Sequence, residues 1–496
     1  MKSYIVLVPI ALALMTSARA QEEHHHHPVP EHLGTTHLET SCSRPVKPAF
    51  DRAVALLHSF TYDEADAGFA DVAARDPSCA MAHWGRAMTH YHQLWDVPVG
   101  PGLAAGVAEI GQAAAMTTDT PRERAIIAAL GVYYANAGEV PAAARAMRYS
   151  DAMATLARDY PADDEIATFY ALSLIATAAP TDHTHARQKQ AADILEPIWK
   201  RQPAHPGVPH YLIHAYDSAE LAQRGLPAAR LYARIAPSAP HALHMPSHIF
   251  TRLGLWDDSI ASNIAARDAG LAQGDIGEAL HAMDYLTYAY LQRGRTADAA
   301  REVAALKAMT LPPGTGFKIG YAGNAMPVRL AVETRDWATA SQLTPIAGSG
   351  PQVAAVVWWA RALGRLRAAT PSSADADIAS LAACREALRA ANDIYWMTQT
   401  DALLMSAQAW RFAATGDDAA AVATMTAAAD EEDGLEKLPL TPGPIVPARE
   451  QLGDLYLVAG KPREALSAYD AALVLAPGRL GALQGKATAE RRIKSL

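Results

Sequence analysis

Apolar residues recur along most of the chain at three- and four-residue steps, the spacing that gathers side chains on one face of a helix. Phe50, Val54 and Leu57 form one such stripe, and Ala65 and Phe69 continue it after a short break. Ala82, Trp84, Ala87 and Tyr91 form the next, Leu130 and Tyr134 another, and the pattern returns near the end in Leu452, Tyr456, Ala465 and Tyr469. β-Branched runs bounded by turn residues are scarce, so the pattern predicts an all-α chain of short amphipathic helices. Gly138, Gly254 and Gly294 fall where turns are expected. Two stretches interrupt the array: Leu311–Gly316 (LPPGTG) and the loop from Pro371 to Asp375 (PSSAD). The first is read as dividing an N-terminal part, 46–310, from a C-terminal part, 317–496.

Leu452, Gly453 and Tyr456, then Ala465 and Tyr469, then Pro477, stand at the L-G-x2-Y, A-x3-F and P spacing of a 34-residue helical repeat. The chain resembles the tetratricopeptide repeat family on these residues. Arg449 and Tyr469 depart from the Trp and Phe usual there. Partial matches at 50–77, 84–91, 130–161, 209–240, 240–266 and 280–306 extend the resemblance over most of the chain. It implies a right-handed superhelical solenoid of helix-turn-helix units whose first helices line a concave groove. The usual role of that fold is to hold a protein or peptide partner, and fold alone does not decide function.

The stretch 205–258 carries the sharpest chemistry. His210 and His214 are four residues apart, so are His244 and His248, and the second pair follows the first by one repeat period. Each pair therefore shares a helix face, and neighbouring helices bring the pairs together. The resemblance implies that positions 2, 5 and 9 of each first helix face the groove. With Gly254 and Gly294 as turn glycines, His241, His244 and His248 take those positions in one unit, and His281, Asp284 and Tyr288 in the next. His210 and His214 take positions 5 and 9 of the preceding unit. The expected metal ligands are thus His210, His214, His241, His244, His248, His281 and Asp284, with Asp217 orienting a ring from behind. Imidazoles suit Zn, Cu or Fe, and this many donors could hold two ions. Tyr211-Leu212-Ile213 and Met245-Pro246-Ser247 stand between the paired histidines, which excludes an H-E-x-x-H protease motif. Met245 and Met283 would suit copper, or simply fill core.

Three readings follow: a metal-binding scaffold for metal handling or ligand binding, a metal-dependent hydrolase or oxidoreductase with Asp217 or Asp284 as base, and a metal-free interaction module. A further acidic run, Glu431–Glu436 with Lys437, enters the Pro-rich segment 439–447 and could form a lid over the groove or a solvated loop. The same question attaches to Arg329 and Glu333.

Composition narrows the partners. A net charge of −9 with no basic cluster argues against nucleic acid. Residues 1–20 have the positive start, apolar core and Ala18-Arg19-Ala20 ending of a signal peptide, so export to a periplasm or secretion is expected. No later apolar run is long enough to span a membrane. The leader, 21–45, contains four consecutive histidines and three prolines and is expected to be flexible, with His32 and His37 as extra ligands or plain solvated residues. In an oxidising compartment Cys42 could pair with Cys79, while Cys384 sits in a helical pattern. His83, His90 and His92 read as packing residues, His183 and His185 as surface ones.

Overall fold

The computed structural model describes residues 32–94, 97–116, 120–311, 316–368 and 372–495. Residues 1–20, read from the sequence as a signal peptide, and the four consecutive histidines lie outside them. The described residues form twenty-four α-helices and one 3-10 turn, with no strand. Successive helices pack antiparallel-fashion as hairpins, each against its neighbours in sequence. Aspartates cap many of the helices: the carboxylates of Asp163, Asp275, Asp336, Asp393 and Asp417 each accept the backbone N–H three residues on. Gly254 and Gly294 adopt φ of +68° at the turns where they were expected. Gly453 faces the ring of Tyr469, and a Cβ there would lie 2.6 Å from the ring. This is the close helix approach that the L-G-x2-Y spacing implies.

The array does not stay open. Its last hairpins fold back onto the middle ones, where Trp256 Nε1 donates to the carbonyl of Gly478 at 3.0 Å. Arg479, fully buried, donates to Glu450, Glu333 and the Tyr288 hydroxyl. The segment 434–447 is drawn into the space this encloses. Tyr285 donates to the Thr441 carbonyl at 2.9 Å, and Arg329 donates to the carbonyls of Gly443 and Pro444. The wall that the repeat pattern presents as an open groove is therefore interior. The interruption at Leu311–Gly316 does not separate the helices on either side, since Ile276–Gln292 and Thr296–Ala308 both pack on Phe317–Glu333.

The leader also differs from expectation from His32 onward. Leu33 and Leu38 are buried, Thr35 N–H donates to the Ala204 carbonyl, and Ser41 Oγ donates to Glu123. Cys42 and Cys79 form a disulfide that fastens this segment to the start of the Ala80–Thr89 helix. Leu33 and Leu38, five residues apart, anchor a segment that has no helical periodicity. Cys384 is half-buried.

Candidate metal centre

Three short helices and one long one supply the histidines. Gly207–Ala215 carries His210 and His214, and Pro209 sits in its first turn, where the missing N–H costs nothing. His241 and His244 lie on Pro240–His244, and His248 on Pro246–Arg252. Pro246 splits what the spacing reads as one helix, yet His244 and His248 still meet. His281 comes from Ile276–Gln292.

The six rings form two adjoining triads, His210–His214–His241 and His244–His248–His281, each with its ligand atoms within 4.8 Å of one another. In the first, His210 Nε2 lies 3.2 Å from both His214 Nε2 and His241 Nε2. In the second, His244 Nε2 and His248 Nε2 are 3.0 Å apart. The edge of a tetrahedron with metal–nitrogen bonds of about 2.0–2.1 Å is about 3.3 Å, so these three pairs already stand at coordination spacing. The triads touch: the rings of His214 and His248 are 5.9 Å apart, those of His241 and His244 6.2 Å.

The second nitrogens decide which lone pairs are presented. His210 Nδ1 meets the carbonyl oxygen of His58 at 2.6 Å, and that oxygen can only accept. His241 Nδ1 meets Glu278 at 3.1 Å, His248 Nδ1 meets Asp217 at 2.9 Å, and His244 Nδ1 meets Asn263 Oδ1 at 2.7 Å. The Asn263 amide nitrogen donates to the Ser259 carbonyl, which fixes its oxygen as the acceptor. All four rings must therefore carry hydrogen on Nδ1, so their neutral forms turn bare Nε2 lone pairs toward each other.

Burial keeps those forms neutral. All six rings have pKa values below the ordinary histidine value, with loss of water the leading cause; His248 is brought to about 4. Phe60 packs against His210, His214 and His241, and Tyr285 against His244, His248 and His281, so each triad has an aromatic cover. The carboxylates behind the rings are ionised. Burial opposes this, but Lys437 and Arg252 hold Asp217 well below its usual value, and Lys318 and His241 do so for Glu278.

Asp284, expected as a ligand, is not brought to either triad. Its two oxygens face Arg329 at 2.8 and 3.4 Å in a buried ion pair. Asp217 stands behind His248 as expected, but Lys437 and Arg252 occupy the same carboxylate, which removes it as a general base. Glu333 pairs with Arg479. Met245 and Met283 are core residues. His32 and His37 are exposed and join no group of metal-capable residues among those described. His185, expected at the surface, is buried in a left-handed turn at φ +51° beside Glu220 and Glu436.

A third cluster, His58–Glu165–His205, escaped the repeat reasoning. Glu165 takes His58 Nε2 at 3.0 Å and His205 Nε2 at 3.2 Å, while His58 Nδ1 meets the Tyr211 hydroxyl and His205 Nδ1 accepts from Gly207 N–H. Every ring nitrogen is paired, so no lone pair is left for an ion. This group is a strut that holds the His58 carbonyl under His210.

No family model and no characterised protein match the sequence. Solved structures give a general likeness: the APC/C hetero-tetramer Cut9–Hcn1 (11% identity, 91% of this chain and 77% of that chain, TM-score 0.38), yeast Tom70 (9%, 91% and 89%, 0.35) and the TPR domain of P58(IPK) (13%, 91% and 99%, 0.21). At these scores the fold assignment rests on the chain's own helix pairing and turn glycines. The chain is a solenoid of tetratricopeptide-like hairpins. Among its described residues no helix is long and apolar enough to cross a membrane.

Proposed function

We propose that this chain is an exported metal-binding solenoid that holds two transition-metal ions in its interior, one in each histidine triad. The observation that carries the reading is the pair of Nε2–Nε2 approaches at 3.0 and 3.2 Å between rings whose Nδ1 hydrogens are already committed. Facing lone pairs at that distance repel unless a cation lies between them, and burial disfavours a proton in that role. Three neutral imidazoles per ion, backed by Glu278, Asp217 and Asn263, are the donor set of a histidine-rich Zn, Cu or Fe site with an outer shell that fixes each ring. The disulfide at Cys42 fits an oxidising compartment.

Metal analysis of tag-free protein tests this. Two ions per chain are expected, falling to one in His210→Ala and to one in His244→Ala. Protein that retains no metal after dialysis against Zn, Cu and Fe salts defeats the proposal. The enzymatic reading is favoured by one observation, a cavity that reaches His214. Three histidines leave a fourth position on a tetrahedral ion, where a substrate or water would bind.

A further inference from the structure

Resting on the two-ion reading, we infer that the triads are functionally unequal: His210–His214–His241 is a ligand-accepting site, and His244–His248–His281 is closed. The ligand class is a small uncharged molecule with a lone-pair donor at one end and an N–H or O–H at the other.

The argument starts from a cavity of about 110 Å³ between the Ala176–His185 turn and the segment Glu436–Pro439. His214 lines it, and none of the second triad's rings does. Those rings pack on Tyr285, and His248 backs onto Asp217, which with its partner Lys437 lines the cavity instead. The walls are mostly apolar, from Leu94, Ile175, Ala179 and Leu438. Charged groups along it are spent on one another: Asp217 on Lys437 and Arg252, Glu436 on His185 and Arg252. A charged ligand would have to break those pairs. One polar atom is left over, because Gln188 Oε1 is buried in this cavity without a hydrogen-bond partner among the described residues. A buried acceptor in that state gains from a ligand that donates to it. A ligand bound through its lone pair to the ion at His214 and through a hydrogen at its far end to Gln188 satisfies both features.

Imidazole is such a molecule, and N-methylimidazole lacks the hydrogen. The experiment loads the full chain with Co(II) and follows the visible d–d bands. Two bound cobalt ions are expected, of which imidazole perturbs one, with N-methylimidazole about tenfold weaker. Gln188→Leu abolishes that preference, and Ala179→Trp, which fills the cavity, abolishes the response while two cobalt ions remain. Imidazole perturbing both ions or neither, equal affinity for the two probes, or an unchanged response in Ala179→Trp overturns the inference. If Ala179→Trp does not fold, the probe comparison in native protein and Gln188→Leu decides alone. Absence of cobalt bands before any probe is added is a different result: it defeats the two-ion reading itself.

Discussion

Acid should destabilise the metal-free fold through its buried imidazoles, and His248 sets the scale. Its pKa falls from an ordinary 6.5 to about 4 because the fold removes water from the ring. Above pH 6.5 the ring is neutral in both folded and unfolded chains, and the stability is fully present. As pH drops through 6.5 the unfolded chain binds the proton first, so stability is lost progressively until about pH 4, where the folded ring also protonates. The gap is about 2.5 units at 1.36 kcal/mol each, or about 3 kcal/mol from this ring. The other five rings are shifted the same way and add to the loss. The depressed carboxylates Asp217 and Glu278 act in the same direction, but below their ordinary values, at the acid end of this window or beyond it. Urea unfolding of chelator-treated protein from pH 7.5 to 4.5 measures the effect, and His248→Asn should flatten the dependence below pH 6.5. A midpoint that is level or rises on acidification refutes the reasoning, since the rings would then not be held neutral by burial.

Three further outcomes are expected. Glu278→Gln removes the charge behind His241 and should weaken binding at the first triad by about 10- to 100-fold, and at the second by less, in a chelator competition titration; equal weakening at both triads contradicts the assignment. Arg329→Met strands the buried Asp284 carboxylate and should cost about 3–5 kcal/mol in urea unfolding. Because Asp284 is no ligand, the variant should still bind two ions, and loss of an ion would reinstate it. Cys79→Ser opens a loop with a sequence separation of 37 and should cost about 4 kcal/mol on the chain-entropy relation; a stability unchanged by both the substitution and reductant shows that the bond does not form.

The helices, the turn glycines and the meeting of the paired histidines were legible because each depends on local spacing or on the repeat period. His241 and His281 followed from register alone. Asp284 has the same register, and its failure as a ligand comes from Arg329, which sits 45 residues on and reaches it across a hairpin boundary. His58 and Glu165 lie 152 and 45 residues from His210, outside the span any repeat step relates, so the strut had no signature. Glu278 did carry one: a carboxylate one turn before His281 on the same helix, which the groove positions passed over. The closure of the groove by 434–447 depends on how far the array curls, a sum over all its hairpins that spacing does not encode. Only the acidic run ending at Lys437 hinted at it.

Element-specific X-ray scattering from crystals of metal-loaded, tag-free protein tests the central claim most directly. Two peaks are predicted, one about 2.0–2.1 Å from the Nε2 atoms of His210, His214 and His241 and one bounded by His244, His248 and His281. Scattering confined to the leader histidines or to surface carboxylates, with both triads dark, contradicts the account.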